Sequence, residues 1–207
     1  IGPADDGELP GVSILKPLKG VDDRLLDNLE SFCRLDYPRY EIVFCVQGAS
    51  DPALRVARRV KETHPEREIV VVVGNCHEGL NPKVNNMMPG YAVARYPFVL
   101  ISDSNVAPAP GYLREAMAHF RDPSVGLVSH LVRGIGAKTL GARLENQHLN
   151  TFILPSRIGQ VAGRGIGAKG LDLGAGDIHP YGVIENLAEG RRGSGYRQEV
   201  AHSLTLL

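Results

Sequence analysis

The feature that most constrains this chain is the stretch Phe98-Val-Leu-Ile-Ser-Asp-Ser-Asn105, in which four apolar residues run straight into an acid. A strand that is apolar throughout, with no polar alternation, belongs at the centre of a parallel sheet covered on both faces. Such sheets bind ligands just beyond the carboxyl ends of their strands. That position makes Asp103 and Ser104 candidate ligand-binding residues. Asp and Ser are also turn formers, and Pro108 and Pro110 follow them, so position alone leaves a turn and a binding site both open.

The rest of the chain alternates strand and helix around this stretch. Val12-Ser-Ile-Leu15 reads as a first strand ending at Lys16-Pro17-Leu-Lys19-Gly20, a loop whose amides and lysines can meet a phosphorylated ligand. Asp22 or Asp23 is placed to cap the next helix, whose Leu25, Leu29, Phe32 and Cys33 recur at helical spacing. Glu41 to Val46 is a second strand. Asp51, followed by Pro52, is the N-cap of a helix that turns Ala53, Ala57 and Val60 inward and Arg55, Arg58, Arg59 and Lys61 outward, a solvated basic face. Ile69 to Val73, β-branched throughout, is expected to be an interior strand. A helix from Val84 to Ala94 then begins with Lys83 at its positive end, which the macrodipole does not favour, so a balancing phosphate contact and an ordinary exposed lysine both stay open. Helices over Gly111 to Phe120 and Leu140 to Phe152 flank a fifth strand, Val125 to Ser129. This order specifies an α/β fold with a mostly parallel, doubly wound sheet.

Composition narrows the class. The 207 residues suit one α/β domain with or without a tail, and 23 basic residues cancel 23 acidic ones. That balance gives no general electrostatic reason to bind nucleic acid. The three cysteines, Cys33, Cys45 and Cys76, lack CxxC spacing, as a reduced, cytosol-facing domain would. His77 reads as a loop histidine, and His130 and His148 as structural. No run approaches the roughly 20 apolar residues of a membrane span, and no signal peptide is evident. The chain opens at Ile1 without a methionine, as a piece of a longer protein does.

Taken together, Val12-Ser-Ile-Leu-Lys-Pro-Leu-Lys-Gly-Val21, Leu35-Asp-Tyr-Pro38, Phe44-Cys-Val-Gln47, Asp51-Pro-Ala53, Asn81-Pro-Lys-Val-Asn-Asn86, Met88-Pro-Gly-Tyr91, Ile101-Ser-Asp-Ser104 and Val125-Gly-Leu-Val128 resemble the ceramide glucosyltransferases, in order and with compatible spacing. The resemblance spans roughly Val12 to Ser156. It implies an inverting, metal-dependent hexosyltransferase of the GT-A fold, transferring glucose from UDP-glucose to a lipid acceptor such as ceramide. In the full-length family this takes place on the cytosolic face of a membrane, held there by segments not found in this chain. Carried over by position, Asp103 resembles the family's second acidic motif, beside the donor diphosphate and its Mg²⁺ or Mn²⁺, and Lys83 the lysine beside the nucleotide. Pro17, Lys19, Asp51 and Ser104 complete the expected nucleotide-sugar site, and Asp103 is the expected metal ligand. A diphosphate binds a hard cation through oxygen ligands and water.

The departures from the family are specific. Gly48 stands where the family's first acidic motif has an aspartate, and only Asp51 of that motif remains. The Glu-Asp motif that supplies the general base and the Gln-x-x-Arg-Trp motif are absent, and the chain has no tryptophan. After Ser156 the chain is rich in Gly and Arg, a composition with little apolar periodicity that is expected to order poorly. The expected organisation is a lead-in over 1–11, a nucleotide-sugar-binding domain over 12–156 and a divergent tail over 157–207. Two readings stay open: a glucosyltransferase domain, and a catalytically inactive fragment with at most nucleotide binding. A dinucleotide-dependent enzyme is disfavoured, because the first strand ends in Lys-Pro-Leu-Lys-Gly and not in a glycine fingerprint opening a helix.

Overall fold

The computed structural model describes residues 9–151, apart from 23, 75, 77–80, 124, 131–139 and 149, together with the strand 182–186. Asp23, His77, the lead-in up to residue 8 and most of the Gly/Arg-rich tail lie outside the described residues.

The elements follow the expected alternation: β1 Val12–Leu18, α1 Leu25–Cys33, β2 Tyr40–Val46, α2 Ala53–Thr63, β3 Ile69–Val73, α3 Pro82–Val93, β4 Phe98–Ser102, α4 Tyr112–Ala118, β5 Leu127–Ser129, α5 Leu140–His148 and β6 Gly182–Asn186. They build one six-stranded sheet in the order β3-β2-β1-β4-β6-β5. The first four strands in that order are mutually parallel. β6, drawn from the stretch read as tail, runs antiparallel between β4 and β5. From β1 the chain winds outward through β2 to β3, then returns to place β4 on the other side of β1. The winding therefore reverses between β1 and β4, where sheets of this kind open a crevice at their carboxyl ends.

Period-two alternation sorts the side chains into two layers. Val12, Ile14 and Leu18 of β1, Ile42, Phe44 and Val46 of β2 and Leu100 of β4 face α1, α2 and α4. Leu15, Val43, Cys45, Val99 and Ile101 face α3 through Met87. The helix residues expected inside are inside: Leu25, Leu29, Phe32, Cys33, Ala53, Ala57 and Val60 are all buried. Gly90 lets α3 lie close on β2, since a Cβ there would stand 2.3 Å from Cys45 Sγ. That approach brings the first turn of α3 over the sheet's carboxyl edge. Cys33, Cys45 and Cys76 are free thiols, and burial pushes the Cys45 thiol up to about 12.

Several expectations need correction. β3 is the edge strand and not an interior one, and Val70 to Val72 are half-buried. Its β-branched residues report packing on both faces, with Val71 against one layer and Val70 and Val72 against the other, and say nothing of lateral position. β1 runs to Leu18, three residues past its expected end. The β1–β4 ladder stops at the Leu15–Ile101 pair, so Pro17, which has no amide to give, costs that pairing nothing. The α1 cap position is Arg24, with no side-chain cap. Asp22 instead accepts the Arg24 amide at 3.2 Å. α3 starts at Pro82, earlier than expected, because Asn81 caps it by accepting the Lys83 amide at 2.9 Å.

Candidate functional site

At the carboxyl ends of β1 and β4 lies an open cleft of about 500 Å³ lined by Pro17, Leu18, Lys19, Asp22, Gln47, Asn81, Pro82, Lys83, Asn86, Asp103, Ser104 and Asn105. Five of the six residues expected at a binding site, Pro17, Lys19, Lys83, Asp103 and Ser104, converge here from three separate elements. Strand β4 ends at Ser102, so the Asp103 side chain leaves the sheet edge at the cleft, as expected. Its carboxylate Oδ1 forms an ion pair with Lys83 Nζ, and both side chains keep partial exposure, 27% and 39%. The anion that Lys83 balances in this structure is therefore the chain's own carboxylate.

Asp51 is not among the cleft-lining residues. Its Oδ1 accepts the Ala53 amide at 2.9 Å, capping α2, and its two carboxylate oxygens accept the Gly20 amide at 3.0 and 3.3 Å. Gly20 has φ +68°, a left-handed conformation that glycine adopts freely. Asp51 thus ties the loop after β1 to α2, and the Gly20 amide is engaged by it, not presented to the cleft. A Cβ at Gly48 would meet nothing within 4 Å, so a larger side chain fits there.

Two further residues shape the site, and the first corrects an expectation: Lys16, read with Lys19 as a loop lysine able to meet a phosphorylated ligand, is a strand residue that does not line the cleft. Lys16 is fully buried within β1, on the same face as Ile14 and Leu18. Its Nζ donates to Ser102 Oγ at 3.3 Å and to the Asp103 backbone carbonyl, and lies 3.8 Å from the centre of the Phe32 ring. Burial holds its ammonium well below the ordinary lysine range; Asp103 and Asp22 raise it, and Lys83 lowers it further. The signal was the strand period itself, which continues through Lys16 to Leu18. Asn86 is the second: it is 6% exposed, its Nδ2 donates to the Leu18 carbonyl at 3.1 Å, and its Oδ1 is buried without a partner among the described residues. A buried acceptor left unpaired costs on the order of 1–3 kcal/mol, and this one borders the cleft.

Among the described residues no group of three His, Cys, Asp or Glu side chains comes together to hold a metal. The oxygen donors lining the cleft are the carboxylates of Asp22 and Asp103, with Gln47, Asn81, Asn86, Ser104 and Asn105 beside them. A hard cation that keeps several waters and takes its remaining ligands from a bound diphosphate needs no more than one or two protein carboxylates. The cleft fits such an ion and does not fit a zinc site of nitrogen and sulfur ligands.

The family profile described as glycosyl transferase family 21 matches residues 3–176, taking in the expected stretch from Val12 to Ser156 and running beyond it. The chain belongs to glycosyl transferase family 21. Ceramide glucosyltransferase 1 of Caenorhabditis elegans is 37% identical over 167 residues, which is 78% of this chain and 36% of the relative. Ceramide glucosyltransferase 3 of the same organism is 43% identical over 102 residues, 49% of this chain and 22% of the relative. This family 21 chain thus spans about a third or less of the length of these relatives. In three dimensions it is similar to the mannosyltransferase PcManGT from Pyrobaculum calidifontis, solved in complex with GDP-Man and Mn²⁺. The TM-score is 0.53 at 28% identity, over 63% of this chain and 38% of that one. The architecture is the GT-A glycosyltransferase fold, as the resemblance implied.

Proposed function

We propose that the cleft at the β1–β4 edge is the donor site of a glucosyltransferase that uses UDP-glucose, with a lipid such as ceramide as acceptor. The observation that carries this reading is the convergence of Asp103, Lys83 and Lys19 on one cleft at the point where the winding reverses. The relatives named as ceramide glucosyltransferases supply the glucose and the lipid. In this reading Asp103 faces the donor diphosphate and would hold a Mg²⁺ or Mn²⁺ ion together with phosphate oxygens and water. That ion would stabilise charge on the departing UDP. Lys83, already at the mouth of the cleft, moves its ammonium from Asp103 to a phosphate oxygen, exchanging one charge-assisted hydrogen bond for another. Lys19 adds a second cation to the cleft lining. The family's inverting transfer also needs a base for the acceptor hydroxyl, and the described residues offer no carboxylate in the cleft besides Asp22 and Asp103. Among the described residues no helix is long and apolar enough to cross a membrane, so contact with a membrane-borne acceptor is assigned to the remainder of the longer family architecture.

The test is transfer of labelled glucose from UDP-glucose to ceramide in mixed micelles with Mn²⁺, followed by chromatographic separation of the glycolipid. Product that disappears in Asp103→Ala supports the transferase. Metal-dependent UDP binding without product would assign the chain the second reading, a donor-binding unit that does not complete transfer. That reading is favoured by the lack of a further carboxylate in the cleft among the described residues.

A further inference from the structure

Lys16 is the one fully buried ammonium among the described residues, and the reading above gives it nothing to do. Burying a lysine costs several kcal/mol even after relaxation. On the face it shares with Ile14 and Leu18, an apolar side chain of the same length would fill the space without that cost. Among the described residues no carboxylate is in direct contact with it. Its partners are the face of Phe32, the hydroxyl of Ser102, itself 2% exposed, and the carbonyl of Asp103.

These partners share one place in the fold. The backbone ladder between β1 and β4 ends at Leu15 and Ile101. Past that pair the strands are joined by the Lys16 ammonium, which bridges 86 and 87 residues of sequence to reach Ser102 and Asp103. The Asp103 carbonyl is thereby held from the buried side of β1, while Asp103 itself lines the cleft. We propose that Lys16 is a positioning residue: its ammonium holds the Asp103 carbonyl and the Ser102 hydroxyl, and so fixes the Asp103 carboxylate where it receives the cation and diphosphate of the donor. This rests on the donor-site reading. Groups that orient a metal ligand without touching the metal typically change metal affinity by about 10–100-fold when removed.

The test is calorimetric titration of the full chain with UDP, with and without Mn²⁺, comparing wild type, Lys16→Met and Ser102→Ala. The quantity read is the factor by which Mn²⁺ raises UDP affinity. In Lys16→Met that factor falls about tenfold, while UDP affinity without metal stays within about twofold, because the nucleotide does not touch Lys16. In Ser102→Ala, which removes one anchor and no charge, it falls about threefold. If Lys16→Met fails to fold, Ser102→Ala decides alone. A folded Lys16→Met, or failing that Ser102→Ala, with the full Mn²⁺ factor overturns the proposal and leaves the donor site standing. Equal losses with and without metal overturn it too, since they mark a general structural lesion. A folded wild type whose UDP binding ignores Mn²⁺ defeats the donor-site reading and this inference together.

Discussion

The two edges of the central sheet both bury charge, and they treat it in opposite ways. At the amino edge Glu41 is fully buried and completely met. It accepts Ser13 Oγ at 2.6 Å, the Arg95 amide at 2.7 Å and Arg95 Nε at 2.9 Å, while Ser13 Oγ in turn accepts the Tyr96 amide at 3.1 Å. Arg95 extends the chain outward to Glu68. Glu41 and Ser13 are met inside the protein, while Arg95 and Glu68 carry the network to the surface, and it pins the turn that leads into β4. At the carboxyl edge Lys16, Asp103, Lys83 and Asn86 are gathered as closely, yet Asp103 and Lys83 remain partly exposed and Asn86 Oδ1 has no partner among the described residues. Closed networks stabilise, and open ones hold capacity in reserve for a ligand.

That contrast can be broken. The largest effect belongs to the amino edge: Glu41→Ala strands three donors and is expected to cost about 3 kcal/mol in urea unfolding, with UDP affinity of the folded fraction unchanged. A binding defect of equal size would mean that the two edges are one unit. Next, Lys83→Met is expected to weaken UDP binding in the presence of Mn²⁺ about tenfold. The same change should tighten binding of Mn²⁺ alone, because Asp103 loses its resident cation. Manganese titration followed by electron paramagnetic resonance reads the second half, and loss of both affinities would contradict the exchange.

His130, just after β5, separates location from purpose. Burial, with a smaller contribution from His119, lowers its imidazole to about 4, and its ring packs 4.9 Å from that of Tyr112. Its folded value lies below the unfolded value near 6.5, so the unfolded chain takes up the proton first. Stability contributed by this group is present above about pH 6.5 and is lost as the pH falls toward about 4. His130→Gln should flatten the acid side of a melting-temperature profile, by about 1 kcal/mol at pH 5.5. An unchanged profile would remove His130 from the account. The smallest effect is a gain: Gly48→Asp, whose side chain meets open space, should fold normally and raise UDP affinity about threefold through one added hydrogen bond.

How much of this was legible in the sequence depends on how far apart the partners lie. The run from Phe98 to Ser102 announced a central strand because burial on both faces leaves a local signature, and Asp103 followed directly from it. The capping by Asp51 was equally local. The link from Asp51 to Gly20, 31 residues away, and the tie from Lys16 to Asp103 were not, since no periodicity encodes which distant loops meet. A lysine after four strand residues reads as the start of a loop, and only partners distant in sequence, the Phe32 ring, the Ser102 hydroxyl and the Asp103 carbonyl, make its burial tolerable. β3 misled for a related reason: its valines reveal two packed faces, but the neighbour missing from one edge is a property of topology.

The most direct measurement is calorimetric titration of the chain with UDP-glucose, with and without Mn²⁺, beside a folded Asp103→Ala variant. The account predicts binding that strengthens with Mn²⁺ in the wild type and loses that dependence in the variant. Equal binding by the two chains, or none by a folded wild type, would contradict the claim that the open edge of this sheet is a nucleotide-sugar site.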